Sequence, residues 1–189
     1  LSCQNKHVHP YTGCEPGGWG WSDLSGAVPD ADDTPGALLA LAGWPAPRGG
    51  KEYQEITDAA EAGVSWLLDL QNSDGGWPTF CRGWGALPFD RSGADLTAHV
   101  IRALHVWKPR LAVRAVNGNL YEQRSGFGER IEDALSRGLK YLKSQQQPAG
   151  SWIPLWFGNQ DHPREENPVY GTAKVLAAYR DLGKLSAPE

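Results

Sequence analysis

Gly63-Val64-Ser65-Trp66-Leu67, running on through Gln71 to Gly75-Gly76-Trp77, is written a second time as Gly138-Leu139-Lys140-Tyr141-Leu142, through Gln146 to Gly150-Ser151-Trp152. In both copies the aromatic–leucine pair leads to a glutamine, and a tryptophan follows that glutamine by six residues. The copies begin at 63 and 138, an offset of 75. Gly17-Gly18-Trp19 preserves the end of a third copy. Repetition at such a period marks a supersecondary unit that buries its apolar face only against its neighbours.

Each tryptophan is followed by a threonine that opens an apolar run. Thr34 leads to Ala37-Leu38-Leu39-Ala40-Leu41, Thr97 to Val100-Ile101-Arg102-Ala103-Leu104, and Thr172 to Val175-Leu176-Ala177-Ala178. Thr34-Pro35 reads as an N-cap followed by proline at the first helical position. The pattern predicts five helices near 34–43, 56–72, 95–107, 129–147 and 169–182, with no clean strand alternation. Helices ending in the glutamine are amphipathic and carry charges such as Asp58, Glu61, Lys140 and Lys143. Helices opening with threonine are more uniformly apolar, as buried helices are. An outer amphipathic ring around an inner apolar ring satisfies both, so the expected fold is all-α, with helices 34–43, 95–107 and 169–182 side by side. The Gly-x-Trp segment is the return turn between the layers, its glycines free to take conformations other residues resist.

A chain of 189 residues can bury one ordinary core, so 1–189 is expected to form a single domain with an irregular segment over 1–16. Its net charge of −4 argues against a nucleic-acid binder, which would carry a basic patch, and suits a soluble surface. No apolar run approaches the roughly 20 residues needed to span a bilayer, and no signal peptide is recognisable. The chain starts at Leu1 and has no methionine, so it is expected to be a piece of a longer protein. Three cysteines, Cys3, Cys14 and Cys81, do not make a paired disulfide framework. Cys3-x3-His7-x-His9-x4-Cys14 resembles a ligand cluster, but its spacing is not a standard zinc arrangement. Reduced structural thiols are expected there, and no metal.

Chemistry concentrates in two motifs. Asp30-Ala31-Asp32-Asp33-Thr34 packs three carboxylates into four residues at a helix start, and Asp95-Leu96-Thr97-Ala98-His99 sets a histidine one turn from another acid. The chain also holds nine tryptophans. Acids among aromatic rings suit the protonation of a carbon–carbon double bond. An alkene is a very weak base, so its donor must be strongly acidic and already protonated. Three adjacent carboxyls cannot all ionise cheaply, so one retains a proton. Aromatic faces then attract the cation, by about 0.5–2 kcal/mol each, without trapping it as water would. The plainer readings are an acidic cap on a helix dipole and a histidine satisfied in the core. Trp19, Trp77 and Trp152 recur with the repeat and read as packing. His105, Trp44 and Trp107 read as packing or surface.

From about Pro16 to Gly183 the chain resembles the squalene–hopene and oxidosqualene cyclases. The Gln71…Trp77 and Gln146…Trp152 segments look like that family's repeat. Asp30-Ala31-Asp32-Asp33-Thr34 resembles the acid motif of its bacterial squalene-cyclizing branch, and Asp95 to His99 the segment supplying the acid's histidine partner. Tyr170-Gly171-Thr172 resembles a motif beside the substrate cavity. The resemblance implies a partial α/α toroid and an isomerase acting in triterpenoid and hopanoid biosynthesis, with the piece inactive alone. It implies no cofactor, a squalene-like lipid substrate, and a monotopic place on the cytoplasmic face of a membrane. Oligomeric state stays open. Asp32 becomes the proton carrier, with Asp30 and Asp33 ionised or hydrogen-bonded. His99 would stabilise the carboxylate left behind, and Asp95, at i−4, would orient the imidazole or keep it charged. Trp21, Phe80, Trp156 and Tyr170, with Trp84, match cavity aromatics. Pro35-Gly36 replaces the family's small aliphatic pair, the 77–95 segment is short, and Asp161 to Asn167 is extra.

Two other functions share parts of this pattern. A non-catalytic, isoprenoid-binding or degenerate toroid would keep the repeats. A zinc-dependent protein prenyltransferase subunit would need Cys81, Asp95 and His99 to converge on a metal.

Overall fold

The computed structural model describes residues 1–24, 26–45, 49–82, 88–111, 113–116, 120–123 and 126–185. Five helices carry the fold: α1 (Asp33–Gly43), α2 (Lys51–Leu70), α3 (Ala94–Leu111), α4 (Phe127–Gln145) and α5 (Pro168–Asp181). Helix α3 lies between α1 and α5 in one layer, while α2 and α4 pack against that row from the other side. The three threonine-led helices are therefore neighbours, as the repeat predicts.

The outer helices face inward with one pattern written twice. Ile56, Ala60, Gly63, Trp66 and Leu67 are buried on α2, and Ile131, Leu135, Gly138, Tyr141 and Leu142 on α4. Each set recurs at three- and four-residue spacing, which makes a single apolar stripe. Each fully buried Leu or Ile contributes about 1.5–3 kcal/mol. In the inner layer only α3 has neighbours on both flanks. It alone is buried nearly all round, from Ala94 to Trp107. Helices α1 and α5 have one neighbour in the row, so the expectation of uniform burial is corrected for them: Leu176 on α5 stays exposed.

The turns carry the repeat in hydrogen bonds. The backbone N–H of Trp19 donates to Thr34 Oγ1 (2.9 Å), that of Trp77 to Thr97 Oγ1 (3.1 Å) and that of Trp152 to Thr172 Oγ1 (3.1 Å). The indoles of Trp77 and Trp152 each donate to a carbonyl ten residues back, Leu67 and Leu142, at 2.7 Å. Gln71 Nε2 ties Gly75 O to Ala134 O on the next outer helix. Gln4 Nε2 does the same between Gly17 O and Ala59 O. Gln4 is thus the glutamine of the third copy, hidden from a spacing search because Gly17 and Trp19 follow it only after an insertion. A Cβ on Gly63 would lie 2.6 Å from the Trp19 ring, and one on Gly138 3.0 Å from the Trp77 ring. These glycines let the Trp19 and Trp77 rings approach an outer helix closely.

Three local expectations need correction. Helix α2 starts at Lys51 rather than near 56. Thr34 is not the cap of α1: it sits inside the first turn, and Asp30 Oδ1 accepts the N–H groups of Asp32 (2.8 Å) and Asp33 (2.6 Å) instead. The threonine hydroxyl is already engaged with both the N–H and the C=O of Trp19. A two-stranded antiparallel hairpin, β1 (Val113–Val116) and β2 (Leu120–Gln123), joins α3 to α4 with Val116 opposite Leu120. Strands of four residues are too short to show alternation in sequence.

Thr97→Val keeps the shape but leaves the buried Trp77 amide without an acceptor, so the protein should lose about 1–3 kcal/mol of stability. Urea unfolding followed by tryptophan fluorescence reads this as a lower midpoint with an unchanged slope.

Candidate active site

Because each threonine is tied to its tryptophan, the residues two before and two after it recur at equivalent places along the inner row. Before the threonines stand Asp32, Asp95 and Tyr170; after them stand Gly36, His99 and Lys174. An open cavity of about 490 Å³ is lined by Trp19, Asp32, Asp33, Gly36, His99 and Lys174, among others. His99 Nδ1 lies 2.9 Å from Asp32 Oδ1, and Lys174 Nζ 3.7 Å from the same oxygen. Gly36 faces His99, and a Cβ there would lie 3.8 Å from His99 Cε1.

The carboxyls of this cluster are driven in opposite directions. Asp30 is buried, with 4% of its surface exposed. Desolvation and then a hydrogen bond with the Asp33 carboxyl raise its pKa to about 8, against the pull of the Asp33 and Asp32 backbone amides. Asp32 is held below the ordinary carboxylate range, chiefly by its hydrogen bond to His99 and also by the Lys174 charge, which together outweigh burial. At neutral pH the resting cluster therefore keeps its proton on Asp30 and presents Asp32 as a carboxylate. Asp30 is hydrogen-bonded, one of the two states expected of it, while the directions of the two shifts favour a resting proton on Asp30 over the expected Asp32. Burial falls on Asp30, and the His99 hydrogen bond and the Lys174 charge on Asp32. An ionised Asp32 can only accept, so His99 Nδ1 is the donor.

Asp95 is 2% exposed and makes no hydrogen bond to His99. Its carboxyl turns to the amides of Asp95 and Leu96 at the start of α3, and burial raises its pKa. One oxygen, Oδ1, has no partner. Asp95 acts on the cluster through its field rather than by orienting the imidazole. Tyr170 is pushed up to about 12 by burial and then by the charges of Asp32 and Asp95, and its ring lies under Lys174 Nζ at 5.4 Å.

Three predicted aromatics fall into one row with a fourth that sequence reasoning missed. Trp21 meets Phe80 edge-on at 6.1 Å, Phe80 meets Phe89 at 5.2 Å, and Phe89 meets Trp156 at 4.9 Å. Phe80 pairs in an antiparallel bridge with Asp30, so the row begins beside the acid cluster. Phe89 sits in a short 3-10 turn, Pro88–Asp90, in a segment where no repeat signal reaches. Tyr170 stands apart from the row, against Phe157 at 4.9 Å. Trp84 lies outside the described residues.

Lys174 is the other residue missed. Its signal was available: it stands 75 residues after His99, at the same place in the next copy. Near the N-terminus, Cys3 and His7 are exposed while His9 and Cys14 are buried. Trp66 Nε1 donates to Cys14 Sγ (3.2 Å), and none of the three cysteines is in a disulfide. Cys81 lines a separate cavity with Cys14 and Trp66, away from Asp95 and His99. Among the described residues no three His, Cys, Asp or Glu side chains converge as metal ligands would.

Residues 7–188 match the model of the squalene-hopene cyclase C-terminal domain. Sporulenol synthase of Bacillus subtilis is 32% identical over 154 residues, which cover 75% of this chain and 20% of that protein. A squalene–hopene cyclase of Alicyclobacillus acidocaldarius is 28% identical over 172 residues, covering 89% of this chain and 24% of that protein. The chain thus spans a quarter or less of the length of these relatives. Among solved structures, a mutant Family 10 polysaccharide lyase from Cellvibrio cellulosa superposes with a TM-score of 0.57 at 19% identity, over 96% of this chain and 63% of that one; this likeness is one of fold.

The raised Asp30 affinity has a testable consequence. The folded state holds a proton that the unfolded state releases near its ordinary 3.8, so Asp30 costs stability progressively as pH climbs from about 4 to about 8. Asp30→Asn keeps an acceptor for the two amides and cannot ionise. The variant should match the parent near pH 4 and exceed it near pH 8 by about 1 kcal/mol or more, read as a difference in urea midpoint that widens with pH.

Proposed function

This chain belongs to the squalene-hopene cyclase family, and we propose on that premise that it forms the acid end of an enzyme that cyclizes a linear, squalene-like triterpene. The observation that carries the proposal is the His99–Asp32 contact of 2.9 Å on the wall of an open cavity. In this reading residues 1–189 make one partial ring, with 1–16 as an irregular lead-in, and the rest of the cavity comes from the longer protein.

Asp32 and Asp33 line the cavity and Asp30 does not, and of the two Asp32 is the one bonded to His99, so it is the group that meets substrate. When protonated, its O–H bond breaks as a C–H bond forms on the terminal alkene. The electron pair stays on the carboxylate, and the positive charge appears on the neighbouring substrate carbon. A low proton affinity serves this step, because the conjugate base is already stabilised by His99. Asp30 is the proton reserve of the cluster, joined to the cavity through Asp33. Asp95 adds a buried carboxyl whose field opposes further negative charge. The row Trp21, Phe80, Phe89 and Trp156 offers π-faces to the cation as ring closure carries it along the chain, and Tyr170 a further one. The reaction needs no cofactor. Its product is an isomer of its substrate, the chemistry of triterpenoid and hopanoid synthesis in bacteria. The substrate is a lipid, so we place the whole protein on the cytoplasmic face of a membrane as a monotopic protein. No helix among the described residues is long and apolar enough to cross one.

Asp32→Asn tests the assignment in the full protein that contains this chain. The asparagine keeps the shape without an acidic proton, so conversion of squalene should fall by at least about 10²–10⁴-fold with circular dichroism unchanged. Near-parental turnover by the folded variant would refute Asp32 as the acid. If the parent itself binds squalene but converts none, the non-catalytic isoprenoid-binding toroid is the correct reading.

A further inference from the structure

The acid carries more cationic support than the histidine segment supplies. Lys174 comes from α5, two residues after Thr172, as His99 comes from α3, two residues after Thr97. The third equivalent position, on α1, is Gly36, which has no side chain to block either group. Helix α5 packs on α3, and the lysine's four-carbon stem carries its ammonium as far as Asp32. Its side chain is 27% exposed and that of Asp32 37%, so the pair lies on the cavity wall. The Tyr170 ring, one turn back along α5, lies 5.4 Å from Nζ and steadies the ammonium from a second side.

We propose that Lys174 is a positioning residue of the acid site, holding the Asp32 carboxylate jointly with His99 so that Asp32 is gripped from two inner helices. Every charged or titratable group around Asp32 bears on this. Asp30 and Asp33 stand on its own segment, His99 and Asp95 on α3, and Lys174 and Tyr170 on α5. Asp33 and Asp95 oppose a charge on Asp32. His99 and Lys174 favour it and prevail. The consequence is specific to this chain's chemistry. The second cation makes Asp32 a stronger acid but a less populated one at neutral pH. Turnover should therefore rise as pH falls toward the Asp32 midpoint, and Lys174 should set where that rise occurs.

The test is a carbon-13 NMR titration of the Asp32 carboxyl in the intact protein, for the parent, Lys174→Gln and Lys174→Arg. An opposite charge at this distance lowers an aspartate by about 1–3 pH units when buried, and less where solvent screens it. Lys174→Gln should raise the Asp32 midpoint by about 0.5–1 pH unit, while Lys174→Arg leaves it near the parent value. Added salt should raise the parent midpoint toward that of Lys174→Gln. An unchanged midpoint in Lys174→Gln, or an equal rise in Lys174→Arg, would overturn the proposal. The turnover arm alone rests on the cyclase reading: the pH–rate rise should move to higher pH by the same amount in Lys174→Gln. A parent protein that never turns over squalene would end the cyclase reading and leave the titration to decide on Lys174.

Discussion

The hydrogen bond from a tryptophan amide to a threonine hydroxyl, made three times, is the constraint on which this structure depends. It locks the start of each inner helix to the turn that returns from an outer one. Thr34 and Thr97 are fully buried, so neither partner can find water in compensation. A lost partner would leave a desolvated polar group. The same turns seat the tryptophan rings against glycines of the outer helices. Layer spacing and helix register are thus fixed by one motif. Whatever stands two residues from each threonine is delivered to the same end of the row.

That delivery explains why three copies of one scaffold make a single site. The position before the threonine has become Asp32, Asp95 and Tyr170, and the position after it Gly36, His99 and Lys174. Asp32, on one side of the register, meets His99 and Lys174 from the other. They meet across helices rather than within one. His99 bonds to Asp32, just before α1, and not to Asp95, one turn back on its own helix. An i,i+4 relation brings two side chains to one face, but it does not oblige them to pair when each has a better partner. The Asp95 carboxyl is drawn to the amides of its own helix start, with Oδ1 left unpartnered among the described residues, and the imidazole is taken by an accessible carboxylate.

Much of the fold was legible in sequence because the repeat is periodic and its glycines, tryptophans and threonines are hard to substitute. The helix order and the inner and outer layers follow from it. What escaped detection lay where the period is broken. Gln4 performs the bridging of Gln71 from beyond an insertion that hides the spacing. Phe89 stands in a turn that no copy shares. The hairpin after α3 is too short to alternate. The site was legible in membership but not in electrostatics: the acids and His99 come together, yet which acid keeps the proton depends on burial. Asp30 and Asp32 are two residues apart and indistinguishable by composition. Asp30 points into the start of α1 and caps it, while Asp32 points into the cavity.

Capping and proton storage are therefore one arrangement. Asp30 accepts two backbone amides, which favours its charged form, yet burial and the Asp33 carboxyl outweigh them. A residue placed purely to cap α1 would do better as asparagine or serine. A residue placed purely to donate to a substrate would line the cavity, as Asp32 does. An ionisable carboxyl at the cap, joined through Asp33 to the cavity wall, does what neither alternative can: its raised affinity favours a proton within the cluster while His99 and Lys174 hold Asp32 low. The split in affinity between the two aspartates follows from depth and the Asp33 carboxyl at Asp30, and from His99 and Lys174 at Asp32. The Asp30 side of that split would survive a change in the cavity that left Asp33 in place and the start of α1 buried under the Trp19 turn.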